Sequence, residues 1–195
     1  MPEFEPKNPD YDARVRDSFE RQKVMQTLGI GIAGLSPGRI VLEMVHNDAL
    51  TQQHGFLHAG IVSTALDSAC GYAAFSLMPA EAAVLTVEFK INLLNPANGE
   101  RFRFVADVVK PGRTLTICEA RAFAVKGGDE RHVAAMTGTL YGVGIGPGEE
   151  LPATVLWQIP VAFEGRARLA LRDDQPVVPV IRGGLGVVVV HETWS

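Results

Sequence analysis

The sequence predicts an α+β domain in which a curved antiparallel sheet wraps around one long central helix. Three observations predict it. The stretch GFLHAGIVSTALDSACGYAAFSLMPA, residues 55–80, is almost wholly small and apolar, and with histidine neutral its only formal charge is Asp67. No proline interrupts it between Gly60 and Pro79, so it reads as a single buried helix, apolar all round, entered at His58, Ala59 and Gly60. Two strand patterns precede it and four follow, and successive strands with short turns imply an antiparallel meander rather than βαβ units. The small residues Ala65, Ser68, Ala69, Gly71, Ala73 and Ala74 let a twisted sheet approach the helix closely, each strand burying one face on it.

The elements follow in order. Residues 1–9 carry three prolines and little hydrophobic content, and read as a loose arm. Asp10 is placed to cap a helix running to about Thr27 and closed by Gly29, with Val15 and Phe19 on its apolar side. Asp12 with Arg16 and Asp17 with Arg21 are spaced i,i+4 on its solvated side. It is a covering helix in which nothing looks chemical. Residues 30–46 form two strands broken at Ser36-Pro37-Gly38, the second with Ile40, Leu42 and Met44 on one face. The loop NDALTQQHGFLHAG leads into the central helix.

Beyond the helix, Val87, Phe89, Ile91 and Leu93 alternate with Thr86, Glu88, Lys90 and Asn92, which predicts a half-buried strand. After the turn at Asn95-Pro96 comes a strand with Phe102, Phe104, Ala106 and Val108 on one face. Pro111-Gly112 turns into a strand over 115–125, and Gly127-Gly128-Asp129 closes a hairpin onto 133–143. From Gly144 the composition changes, with Pro-Gly interruptions and valine runs near Val177 and Val187. The chain therefore divides into an arm and covering helix (1–28), the main domain (29–143) and an extension of unassigned role (144–195).

Composition narrows the function. A net charge of -4 lacks the basic surplus of a nucleic-acid binder. Cys70 and Cys118 form neither a disulfide framework nor a CxxC site, and no apolar signal core opens the chain, so a cytoplasmic protein is expected. A membrane span is disfavoured by the Gly/Ala/Ser content and by Asp67 in mid-segment. His46, His54, His132 and His191 are too scattered for a metal cluster.

The string GFLHAGIVSTALDSACGYAA, followed in order by TVEFKINLLNPA and KPGRTL, resembles the PaaI-like acyl-CoA thioesterases of the hotdog-fold superfamily over about residues 13–143. The resemblance implies that Asp67 is the catalytic acid and that the backbone amides of Ala59 and Gly60 polarise the thioester carbonyl. It also implies that Gln52 contacts that oxygen and that Thr86 orients the water. The family's usual Gly-Gly pair reads Ala59-Gly60 here, and the methyl group restricts approach at that amide. Relatives build each site from two chains, so a homodimer or homotetramer is implied, with acyl-CoA as substrate. Coenzyme A enters as part of that substrate and no further cofactor or metal is implied.

Physical chemistry of the residues agrees. A helix N-terminus offers unpaired amides and a positive dipole end to a developing oxyanion. A carboxylate in apolar surroundings is a stronger base than a solvated one. His54 and His58 stand at the entrance to the helix as substrate-binding positions, and the imidazole of His58 is expected to bond the turn rather than act as a base. Lys110 and Arg113, flanking Pro111-Gly112, are the cations for the coenzyme phosphates. Phe56, Tyr72 and Phe75 are candidates to line an acyl pocket. Strand parity sets Thr86 opposite Val87, Phe89 and Ile91, hence away from its own helix if those three are core, so that it serves the site only at a strand end or across a subunit interface. A non-catalytic acyl-CoA binding module and a hydratase or dehydratase of the same architecture are the alternatives; the latter requires a catalytic histidine.

Overall fold

The computed structural model describes residues 4–144. Six strands form one antiparallel sheet around a central helix. The chain runs α1 (Tyr11–Arg21), α2 (Lys23–Leu28), β1 (Ile30–Ser36), β2 (Arg39–Val45), α3 (Ala59–Phe75), β3 (Ala82–Leu93), β4 (Arg101–Lys110), β5 (Leu115–Lys126) and β6 (Asp129–Gly144). The strands lie side by side as β1-β2-β4-β5-β6-β3. The meander therefore holds only for β4, β5 and β6. After α3 the chain descends on the far edge, where β3 pairs with β6, and β4 then returns to pair with β2. Turn signals are local and cannot specify which non-neighbouring strands meet.

One face of the sheet and one side of α3 make the core. Phe102, Phe104 and Ala106 of β4, Cys118, Ala120 and Ala122 of β5 and Ala134, Met136 and Leu140 of β6 pack on Leu66, Ala69, Cys70 and Ala73 of the helix. Alanine on both surfaces permits the close approach. Gly127 and Gly128, with φ of 58° and 93°, make the two-residue β5–β6 turn that side chains disfavour.

α3 differs from expectation in two ways. It ends at Phe75, short of Pro79, because the buried Ser76 hydroxyl donates to Ala73 O (2.7 Å) and accepts from the Gly38 amide (2.8 Å), tying the helix end to the β1–β2 turn. Nor is it covered all round. Gly60, Ser63, Thr64, Asp67 and Gly71 form a small and polar stripe that the sheet leaves partly open.

The N-terminal segment also departs from prediction. The single helix is broken at Gln22, whose ψ of 90° is extended. The break rephases the apolar side, so that Met25 and Leu28 reach the core as Val15 and Phe19 do; one straight helix could not aim all four inward. The supposed loose arm is docked where the structure begins. Phe4 packs so closely on Gly38 that a Cβ there would lie 2.6 Å from its ring, and Asn8 Oδ1 accepts from Asp10 N. The i,i+4 pairs Asp12–Arg16 and Asp17–Arg21 form as read. Among the described residues no helix is long and apolar enough to cross a membrane. The extension beyond Gly144 lies outside the described residues.

Candidate active site

Asp67 sits on the open stripe of α3, at the wall of a cleft of about 430 Å³ between α1, α3 and the start of β3. Burial pushes its carboxyl above the ordinary carboxylate range, opposed by one hydrogen bond, from Thr86 Oγ1 to Asp67 Oδ1 at 2.8 Å. The titration of Asp67 is thus moved upward from that of a solvated aspartate, while the second carboxylate oxygen has no bond to the described residues.

Thr86 reaches Asp67 within its own chain, against the parity expectation. The β3–β6 register shifts between Thr86 and Glu88, which makes Val87 an extra, unpaired residue. Beyond this bulge Phe89, Ile91 and Leu93 pair with Gly138, Met136 and Ala134, whereas before it Thr86 pairs with Leu140. All four β6 partners face α3, so the bulge turns Thr86 to the same side as Phe89 and Ile91. Phe89 and Leu93 nonetheless remain 46% and 58% exposed, because β3 is an edge strand and projects past the helix.

The start of α3 is a separate place in one chain. His58 is the N-cap, and its Nδ1 accepts from the Gly60 amide at 2.9 Å. That corrects the expected pair of oxyanion donors. The Gly60 N–H is already satisfied by the cap, and the Ala59 N–H is the one that donates to no described residue. Ala59 and Gln52 border a second cavity of about 400 Å³, with Phe56, Leu57, Leu93 and Leu94 as its apolar walls. Gln52 is tied to its loop, its Oε1 accepting from His54 N at 2.6 Å, and His54 is exposed. From Ala59 to Asp67 is eight residues, about 12 Å along the helix axis.

The other expectations scatter. Phe56 belongs to the cavity by Ala59, while Tyr72 and Phe75 line the Asp67 cleft, so the three do not share one pocket. Arg113 borders a third cavity with Phe4 and Lys7, near the C-terminal end of α3, and Lys110 is exposed. Neither cation borders the Asp67 cleft of its own chain. The thiol of Cys70 is held protonated by its hydrogen bond with Cys118 and by burial, which makes it a packing group and not a nucleophile.

The sequence profile of the thioesterase superfamily matches residues 54–130, which span the helix entrance, Asp67 and Thr86. A provisionally named esterase of Saccharolobus solfataricus is 30% identical over 106 residues, 54% of this chain and 75% of its own. The chain belongs to the thioesterase superfamily. A solved thioesterase family protein from Silicibacter pomeroyi is 67% identical, with a TM-score of 0.68, over 69% of this chain and 98% of that one. The E. coli PaaI protein of the phenylacetic acid degradation operon shares the fold at 19% identity, with a TM-score of 0.64, over 71% of this chain and 96% of PaaI. The six-stranded sheet around α3 is thus the hotdog fold.

In this thioesterase-superfamily chain the covering helix turns out to face the site. Arg14, Ser18 and Arg21 of α1 border the Asp67 cleft, and Ser18 Oγ lies 3.4 Å from Tyr72 Oη. Their spacing, i, i+4 and i+7, marks a polar stripe beside Val15 and Phe19 that was available in the sequence.

Proposed function

We propose that this protein hydrolyses acyl-CoA thioesters to the free acid and coenzyme A, with each active site assembled from two chains. Superfamily membership gives the coarse reaction, hydrolysis of a thioester or ester. The observation that carries the finer reading is Asp67: a half-buried carboxylate, oriented by Thr86, open to a cleft and bonded to no other described residue. In the proposed step Asp67 takes a proton from water as its oxygen bonds to the thioester carbon. The carbonyl oxygen, now an oxyanion, is held by the Ala59 amide at a helix start, where the dipole favours negative charge. Collapse breaks the C–S bond, and the proton passes to the leaving thiolate, giving acid and thiol.

Two features support the shared site. Asp67 and the free Ala59 amide are too far apart along α3 to grip one carbonyl. β3, meanwhile, is a 12-residue edge strand with exposed Phe89 and Leu93 and a backbone edge that no described strand pairs. Antiparallel pairing of β3 with its copy about a two-fold axis near mid-strand exchanges the strand ends. The Thr86 end, beside Asp67, then meets the partner copy's counterpart of the Leu93 end, beside Ala59. In this reading the protein works in the cytoplasm as a homodimer or a tetramer of such dimers.

The test is thiol release from a panel of acyl-CoA esters by wild type and Asp67→Asn, with light scattering on both. A general base contributes roughly 10²–10⁴-fold, and turnover surviving at wild-type rate would remove Asp67 from the chemistry. A fully active monomer would remove the shared site.

A further inference from the structure

We propose that Arg14 is the recognition group for a carboxylate at the far end of the acyl chain, so that the favoured substrates are thioesters of dicarboxylic acids. The inference rests on the acyl-CoA reading above and adds the acyl class to it.

Arg14 stands apart from the other described arginines. Arg16, Arg21, Arg39, Arg103 and Arg121 each pair with a carboxylate. Arg101, Arg113 and Arg131 lack such a partner among the described residues but are exposed to water. Arg14 is half-buried, borders the Asp67 cleft, and has no ion-pair partner among the described residues. Glu81 raises its pKa through space, yet the larger effect is burial, which lowers it. A cation removed from water without a counter-charge is costly unless something supplies one.

The guanidinium is also held ready. Its Nη1 donates to Met78 O at 3.2 Å and its Nη2 to Ala82 O, and its Cζ lies over the Phe75 ring, 3.9 Å from the centroid. These two bonds leave three of the five N–H groups unused and fix the plane of the fork, and neutral carbonyls do not cancel its charge. A carboxylate arriving there loses little entropy in being bound.

Distance selects the chain length. Phe75 lies eight residues beyond Asp67, about 12 Å along α3. Contacts of about 3 Å at each end leave about 6 Å, which an extended acyl chain of about six carbons spans, because each of its five zigzag bonds of roughly 1.5 Å advances only about 1.25 Å along the chain. The phosphates of coenzyme A lie beyond the whole pantetheine arm, on the other side of the sulfur.

The experiment compares adipyl-CoA with hexanoyl-CoA, which differ only at the chain terminus, using wild type and Arg14→Gln. Hexanoyl-pantetheine, which lacks the phosphates, is the third substrate. Wild type should favour adipyl-CoA in kcat/KM by about tenfold or more, the worth of a charge-assisted bond, chiefly through KM. Arg14→Gln should abolish that preference. Because the preference is a ratio within one protein, partial unfolding of the variant cancels from it. A wild type indifferent to the terminal carboxylate overturns the proposal, as does a variant that slows both esters equally, which would make Arg14 an anchor for α1. A loss on the CoA esters that disappears on hexanoyl-pantetheine assigns the anion to phosphate and overturns it too. If no ester is turned over, the hydrolytic reading fails separately, and equilibrium titration with adipyl-CoA and hexanoyl-CoA still decides the role of Arg14.

Discussion

The two sides of α3 obey different rules. The sheet side carries Ala65, Leu66, Ala69 and Ala73, all fully buried, and its partners are aromatic, aliphatic and small residues from four strands. The other side carries Gly60, Ser63, Thr64, Asp67 and Gly71, partly open, and at Asp67 and Gly71 it borders a cleft shared with the edge strand β3 and helix α1. Adjacent residues on one helix therefore serve separate ends. Stability is concentrated where the chain closes on itself, and chemistry where it leaves a seam for water, substrate and the proposed second copy.

The largest expected contrast is at Asp67 itself. Asp67→Asn should cost about 10²–10⁴-fold in turnover while making the fold more stable at neutral pH. The folded-state pKa is raised, so the aspartate favours the folded state fully below its unfolded value. That contribution is lost as pH rises through the folded value. Thermal melts of wild type and variant should thus coincide in acid and separate towards neutrality, with the variant higher. A variant less stable at pH 7 would mean that the carboxylate is a structural partner.

Leu66→Ala reverses the pattern one residue away. A fully buried leucine truncated in a close-packed core costs about 2–5 kcal/mol. Denaturant unfolding measures it, and the folded fraction should retain its kcat. A smaller effect is expected at Thr86→Val. Deleting the bond that opposes the burial effect should move the acidic limb of the pH–rate profile upward and lower turnover at neutral pH by about tenfold, in line with one hydrogen bond to a charged group. An unshifted limb would show that the contact does not govern the titration.

These contrasts also explain what could be read from the sequence. The buried helix, its entrance and the inward faces of β2 and β4 follow from local periodicity, which marks Ile40, Leu42, Phe102 and Phe104 as the core residues they are. Asp67 was conspicuous because a carboxylate inside an apolar run demands a reason. Alternation alone sets Thr86 on the outer face, because the bulge adds one residue to β3 and leaves no mark in an alternating pattern. The pairing of β3 with β6 is a long-range choice that no local signal encodes. Arg14 is illegible for another reason: in the sequence a polar stripe on a covering helix is indistinguishable from a solvated face, and only the cleft beneath it sets it apart.

His58→Ala is the mildest change and separates the thioesterase reading from its nearest alternative. In a hydratase or dehydratase of this architecture the histidine does chemistry, and the substitution would abolish activity. Here the imidazole is engaged as the N-cap of α3, accepting from the Gly60 amide. Its loss should cost about 1 kcal/mol, as other N-cap deletions do, and should leave the Ala59 amide where it is. Most of the hydrolytic rate should therefore survive at temperatures below the lowered melting point. His58→Asn, which restores a capping oxygen, should recover the lost stability. Stability recovered with no hydrolysis in either variant would instead identify the ring as a reacting group.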